Sequence, residues 1–227
     1  MAIREVALDT ETTGLDPGAG HRLVELACLE LVDHVPSGRN FHKYVNPERG
    51  MPPEAEAIHG LSAGFLADYP VFADIAEEFL DFIAADRLII HNAEFDIRFL
   101  NAELTRLERP PLSIARTIDT VQLARRKFPG AQVNLDALCR RFGIDLSDRE
   151  KHGALIDTEL LARVYLELIG GRQAKLALDA DARARTTPET PNTPVIRPPR
   201  AHAASAAEQA EHAALLDRLE APIWRKT

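Results

Sequence analysis

Residues Val6 to Asp16 read VALDTETTGLD. A short apolar run, Val6-Ala7-Leu8, ends in two carboxylates, Asp9 and Glu11, with only Thr10 between them. Side chains alternate along a strand, so residues two apart share a face. Two like charges so held repel and are costly to desolvate, which points to something positive between them. Two more acids sit at element ends. Asp96 closes LIIHNAEFD, in the first turns of a helix that follows a short strand. Asp157, in KHGALIDTELL, lies on or beside the core-facing stripe of a helix, where an unpaired carboxylate is expensive. Each acid alone has an ordinary reading. Asp96 could be a first-turn helix acid, Asp157 the partner of a buried arginine, and Asp9 and Glu11 loop residues past a strand end. Together they describe one oxygen-rich pocket for hard cations. Magnesium suits such a pocket, and zinc does not, because no Cys or His cluster has ligand spacing. Two ions roughly 3.5–4 Å apart could activate a water and stabilise a leaving oxygen in phosphoryl transfer.

His152 adds proton chemistry. It lies five residues before Asp157, which on a regular helix, at about 100° per residue, would put the two on different faces. It is therefore placed in the loop before the helix, with Gly153 allowing the turn. There it can swing over the pocket and take a proton from water. Standing alone, a histidine in SDREKHG would be read as a solvent-exposed loop residue.

The elements that must carry these groups form one α/β domain within the first ~170 residues. Strands are expected at Ile3–Leu8, Leu23–Val32 and Asn40–Val45, with links short enough for an antiparallel meander. Apolar positions at Phe72, Ile75, Phe79, Leu80 and Ile83 predict a helix over Val71–Ala84. A strand at Arg87–Ile90, a helix at Glu94–Leu107, a strand at Ala115–Ile118 and a helix at Thr120–Lys127 follow. NLDALCRRFGI reads as a helix with Asn134 as N-cap and Gly143 as its stop. Asn92 is expected to cap the helix carrying Asp96, the other reading being a hydrogen bond within the site. Asp119 and Asp136 fit helix N-termini without a metal. Ala154–Ile169 is a strongly amphipathic helix. Strands that first meander and then alternate with helices predict a mixed sheet flanked by helices.

The chain has 227 residues, 45% hydrophobic and 27% charged, with formal charge −8 and pI near 5.5. There is no global basic footprint, so a nucleic-acid ligand would be held locally, through metal ions, or by a partner supplying the positive surface. Cys28 and Cys139 sit in apolar periodic segments and read as buried free thiols of a reducing cytoplasm. No signal-peptide pattern opens the chain and no apolar run is long enough to span a bilayer; a cytoplasmic protein with no membrane partner is expected.

These residues together resemble the DnaQ-like 3′→5′ exonucleases of the DEDDh group. DTETTGL looks like the first exonuclease motif, HNAEFD the second, and HGALIDT the third with its histidine. The resemblance runs from Ile3 to about Gly170, through AIHGL, FPG, NLDALC and VYLELIGG. Within the group it is nearest to the proofreading (epsilon) subunits of bacterial DNA polymerase III. It implies a ribonuclease H-like fold. It makes Asp9, Glu11 and Asp157 direct ligands of two Mg²⁺ or Mn²⁺ ions, Asp96 the acid supporting the second ion, and His152 the general base. It implies that the 3′-terminal nucleotide of DNA is met by Thr12, Thr13 and Gly14, by Leu15 as an apolar wedge, by Glu54, Ile58 and His59 (the last read as a loop residue), and by Phe95. Ile58 and Phe95 could equally be core residues.

Past the domain, taken as 1–171, composition changes. Pro188, Pro191, Pro194, Pro198 and Pro199 sit among Thr, Arg and Ala, an extended linker over 172–200. Within it Gln173 to Leu178 resembles the short peptide that docks on the bacterial sliding clamp. Residues 201–227 regain helical spacing, with Leu215, Leu216 and Leu219 on one face. By position and pattern this tail is expected to tether the catalytic alpha subunit of DNA polymerase III, raising the local exonuclease concentration to roughly the mM range. Two other readings stay open. One is a stand-alone trimmer of RNA 3′ ends. The other is a non-catalytic adaptor, which would be expected to lose one of the five site residues.

Overall fold

β1 (Arg4–Thr12) is the centre of a five-stranded sheet of order β3-β2-β1-β4-β5. The computed structural model describes residues 2–147, 152–171 and 203–218. β2 (Leu23–Val32) and β3 (Val35–Tyr44) return antiparallel from β1, the predicted meander. Their turn carries positive φ at Asp33 and His34, the mirror-image turn that a tight hairpin needs. β4 (Arg87–Ile90) and β5 (Thr117–Asp119) then add parallel on the other side, each reached over helices. The result is a mixed sheet, as the alternation of strands and helices in the sequence predicts.

The helices are α1 (Pro53–His59), α2 (Ala63–Leu66), α3 (Phe72–Ile83), α4 (Ala93–Arg106), α5 (Thr120–Lys127), α6 (Leu135–Phe142) and α7 (Ala154–Ile169). One face of the sheet, through Val6, Leu8, Leu26 and Cys28, packs on α3 and α4 by way of Phe72, Ile75, Phe79, Phe99 and Leu100. The other face, through Ala7, Leu29, Leu31 and Ile89, packs on α5 to α7 by way of Leu138, Leu161, Val164 and Leu168. Burying a side chain such as Phe79 contributes roughly 1.5–3 kcal/mol. β2 is buried on both faces along nine of its ten residues, so its alternation in sequence is only partial. Cys28 and Cys139 are free and buried on opposite faces of the sheet, which rules out a bond between them.

Several boundaries differ from the sequence expectation. β1 runs on to Thr12 rather than stopping at Leu8, so Asp9 and Glu11 are strand residues paired with Ala27 and Glu25. β3 begins at Val35, because its first six residues are an exposed edge that carries no apolar signal. β5 is shifted to Thr117–Asp119. No apolar period marks an element between Val45 and Val71, yet α1 and α2 fold there. Both are too short for periodicity, and α1 starts at a proline in the first turn, where the missing N–H costs nothing.

Contacts divide the chain into two units, Met1–Leu176 and Ala177–Thr227. In the second, the described residues form α8 (Ala206–Asp217), opened by a capping box in which Ser205 and Glu208 satisfy each other's N–H groups. Leu215 on this helix is 53% exposed. The linker over 172–200, its Gln173–Leu178 peptide, and the ends of the 201–227 tail with Leu219 lie outside the described residues. No helix among the described residues is long and apolar enough to cross a membrane.

Candidate active site

Alternation along β1 decides which acids meet. Asp9 and Glu11 follow Ala7 onto the face covered by α7, while Thr10 follows Leu8 onto the face of α4. β4 pairs only with Glu5–Ala7, so the rest of that edge of β1 is left to the start of α4. There Asp96, 3% exposed, accepts a hydrogen bond from Thr10 Oγ1 at 2.7 Å. On the opposite face Asp157, 5% exposed, stands in the first turn of α7. Acids from both faces thus converge at the C-terminal end of the central strand.

Glu11, His152 and Asp157 each offer a ligand atom, and these atoms all lie within 4.8 Å of one another. His152 Nδ1 is 3.5 Å from Asp157 Oδ2, and the imidazole is half exposed. Its backbone N–H reaches the carbonyl of Ile58 at 3.4 Å, so His152 precedes α7 in an anchored loop, as its spacing from Asp157 predicts.

The electrostatics ask for a cation. Burial, then the charges of Asp96, Glu11, Asp157 and Glu25, hold the Asp9 carboxyl well above the usual carboxylate range. Burial likewise pushes Asp96 up to about 7, against the pull of its hydrogen bonds from Thr10 and the backbone. Buried carboxyls such as Asp9 and Asp96, held toward the neutral form, are what a divalent cation relieves. The oxygen-rich donor set of Asp9, Glu11, Asp96 and Asp157 fits hard ions.

Beside the cluster opens a pocket of about 520 Å³. Its walls include Glu11, Thr12, Thr13, Leu15, Glu54, Ile58, His59 and Phe95, while Asp9 and Asp157, also expected to meet the terminal nucleotide, are not among its lining residues. Leu15 is 77% exposed and Ile58 54%, which removes the core reading of Ile58. Phe95 instead packs in part on the core, its ring 5.0 Å from that of Phe99. His59 corrects the sequence reading: it ends α1 and is buried, not a loop residue. Its Nδ1 accepts the N–H of Leu61 at 3.0 Å, so the neutral ring carries its hydrogen on Nε2. Thr13 is wholly buried, and its hydroxyl accepts from the N–H of Arg22 at 3.0 Å and lies 3.1 Å from His21 Nδ1. A larger groove of about 690 Å³ between α4 and α5 holds none of the four acids.

Asn92 occupies the N-cap position of α4 but makes no side-chain cap bond, contrary to expectation. Its backbone lies in the left-handed region, φ 72° and ψ 58°, which asparagine tolerates. Asp119 caps α5 through Val121 N–H at 2.8 Å and also accepts from Asn92 N–H at 3.2 Å, in keeping with a structural acid. Two pocket or site residues escaped the sequence reading. His21 folds back so closely over Gly14 that a Cβ there would meet its ring at 2.4 Å; nothing in GAGHR signals this. Glu25 is a buried carboxylate inside the apolar strand LVELACLELV, a signal that was visible.

The exonuclease family RNase_T matches residues 6–165. DNA polymerase III subunit epsilon of Rickettsia conorii is 58% identical over 176 residues, covering 76% of each chain. The subunit of the same name from Salmonella typhimurium is 39% identical over 236 aligned residues, covering 98% of this chain and 97% of the other. The chain belongs to the epsilon family of DnaQ-like exonucleases. Among solved structures, exonuclease X in complex with 5′ overhanging duplex DNA aligns with a TM-score of 0.59 and 27% identity over 73% of this chain and 90% of that one. The nuclease domain of 3′hExo, a DEDDh family member bound to rAMP, aligns with a TM-score of 0.65 over 74% and 92%, at 19% identity a likeness of fold alone. Epsilon membership makes the chain an exonuclease and accounts for a cleft in which acids from a strand and two helices adjoin an apolar-lipped pocket.

Proposed function

We propose that this chain removes 3′-terminal nucleotides from DNA as 5′-monophosphates, acting as the metal-dependent proofreading subunit of a bacterial DNA polymerase III in the cytoplasm. The observation that carries this reading is the convergence of ligand atoms of Glu11, His152 and Asp157 within 4.8 Å, with Asp9 and Asp96 in the same acidic group and Glu11 also lining the pocket of about 520 Å³. Asp9, Glu11 and Asp157 would hold two Mg²⁺ or Mn²⁺ ions, with Asp96 supporting one of them. When bound, the ions supply positive charge to the scissile phosphate and to the departing 3′-oxygen.

The chain's own groups do the rest. His152, half exposed on an anchored loop, takes the proton from the attacking water, with Asp157 beside its Nδ1 to steady the charged ring. Leu15 projects into solvent at the pocket rim and wedges against the last base, while Phe95 and Ile58 offer apolar surface to base and sugar. Glu54 and His59 line the part of the pocket that would hold the terminal sugar. Preference for a mispaired end needs no base reading, because a frayed terminus is cheaper to unpair by up to a few kcal/mol. The tail over 201–227 holds the polymerase alpha subunit, and Gln173–Leu178 the sliding clamp.

The test uses purified full-length chain with 3′-labelled DNA and RNA oligonucleotides and Mg²⁺, with and without EDTA. Mg²⁺-dependent release of labelled 5′-monophosphate from DNA is expected. Faster release from RNA would favour the RNA trimmer, and none from either would leave only a binding role. Capture of the alpha subunit by the chain with and without residues 201–227 tests the tether.

A further inference from the structure

Glu25 is a buried carboxylate on the active-site face for which the proposed chemistry has no use. It stands on β2 directly opposite Glu11, with Tyr44 of β3 opposite on its other side. Cross-strand partners project to the same face, so Glu25 points with Glu11 toward α7. It is 3% exposed, and both of its oxygens have partners. Oε2 accepts the N–H of Ala154 at 3.1 Å, and Oε1 lies 2.7 Å from Nε2 of His42.

Ala154 is the first residue of α7, and the N-cap before it is Gly153, which has no side chain to cap with. The first N–H groups of a helix lack partners inside it and carry the positive end of its dipole. The cap that α7 lacks locally comes from a carboxylate on β2, 129 residues away. The same segment is held at His152, whose N–H reaches Ile58 of α1. His152 and Gly153 lie between these two anchors, and Asp157 lies within the first turn beyond them.

We propose that Glu25, itself held by His42, is a positioning residue that clamps the start of α7 to the sheet and so sets where His152 and Asp157 stand against Asp9 and Glu11. A cap within the helix would stabilise it wherever it lay. A cap rooted opposite Glu11 ties the helix to the strand that carries the other acids. The inference rests on the nuclease reading, in which a misplacement of about 1 Å costs on the order of 10²-fold in rate.

The test compares the full-length chain with Glu25→Gln, Glu25→Ala, His42→Gln and the double variant Glu25→Ala/Gly153→Ser. Gly153 has extended backbone, φ −155° and ψ 127°, and nothing within 4 Å of an added Cβ, so serine there can cap α7 locally. Three quantities are read: kcat and KM on a single-stranded DNA oligonucleotide at saturating Mg²⁺, Mn²⁺ affinity by electron paramagnetic resonance, and Tm. Glu25→Ala is expected to lower kcat roughly 30- to 100-fold, with KM within about threefold and Mn²⁺ binding weakened about fivefold. Glu25→Gln keeps an acceptor for Ala154 and should retain most of the rate. Should Glu25→Ala fail to fold, His42→Gln, which loosens Glu25 without removing it, should lower kcat about 3- to 10-fold. In the double variant Tm should recover while kcat and Mn²⁺ affinity stay low. Recovery of kcat together with Tm would reduce Glu25 to a stabilising cap and overturn the proposal. So would Glu25→Ala with kcat and Mn²⁺ affinity within about twofold of wild type. A wild type that binds Mn²⁺ but cuts nothing would sink the nuclease reading, while the Mn²⁺ titrations would still judge the clamp.

Discussion

Thr10 hands its hydroxyl hydrogen to Asp96 across 2.7 Å, although the two are 86 residues apart. Thr10 points to α4 while its neighbours Asp9 and Glu11 point to α7, so this bond ties the acid of one face to the strand that bears the acids of the other. Thr10→Val keeps the shape and removes the donor. Its expected cost is about 1–3 kcal/mol by denaturant unfolding, because a buried carboxyl loses a partner. The rate at saturating Mg²⁺ should fall with it. An unchanged rate would show that Asp96 needs no such tether.

Burial holds Asp96 up at about 7 in the folded chain, against an ordinary 3.8. The fold therefore favours the neutral acid. This contribution is full below the unfolded value, near pH 4, and is lost as pH rises through 7. Metal-free protein should melt at a lower temperature near pH 8 than near pH 5.5. Asp96→Asn, neutral throughout, should lose that part of the slope, which amounts to a few kcal/mol at most. Added Mg²⁺ should raise Tm more at the higher pH. Thermal melts with EDTA or Mg²⁺ check this, and parallel slopes for wild type and Asp96→Asn would contradict it.

Removing Asp157 or Asp9 should abolish hydrolysis with little loss of folding. The acids acting on Asp9 all disfavour its charge, so deleting one relieves repulsion in the metal-free fold. Asp157→Ala and Asp9→Ala are each expected to lower kcat by 10³-fold or more, as a rough figure for losing a metal ligand. Circular dichroism should stay native. Turnover of Asp157→Ala near wild type would remove the metal assignment.

The loop after β1 depends on one missing side chain. A Cβ on Gly14 would sit 2.4 Å from the His21 ring, which rests against the Thr13 hydroxyl. Gly14→Ala should displace that ring at a cost of about 1–3 kcal/mol and raise KM for single-stranded DNA. Gly14→Ala/His21→Ala should recover part of the loss. A double variant as poor as the single one would mean that the backbone, not His21, needs the glycine.

Leu15 makes no core contact to lose, since it is 77% exposed. Leu15→Ala should leave stability within about 0.5 kcal/mol. Its effect should fall on paired ends: cleavage of a matched primer terminus drops relative to a mispaired or single-stranded one. Equal loss on all three substrates would argue against a wedge.

Much of this molecule was legible before folding. The meander, the helix over Ala154–Ile169, the caps at Asn134 and Asp119, and a loop position for His152 before that helix follow from periodicity and local turn chemistry, which need only neighbours in sequence. The boundaries that failed share a cause. β1 outlasts its apolar run because the cleft accepts polar strand residues, and the edge of β3 is held by backbone bonds to β2 that no side chain announces.

The sequence by itself determined which groups can do chemistry, since residue type and a period of two or 3.6 are properties of the chain. Tertiary structure alone decided what surrounds them. It folded His21 over Gly14, buried His59 at the end of a helix, and brought Glu25 to cap a helix 129 residues away. Such contacts join segments through space, and their energies depend on distances of a few ångströms that spacing along a chain does not encode.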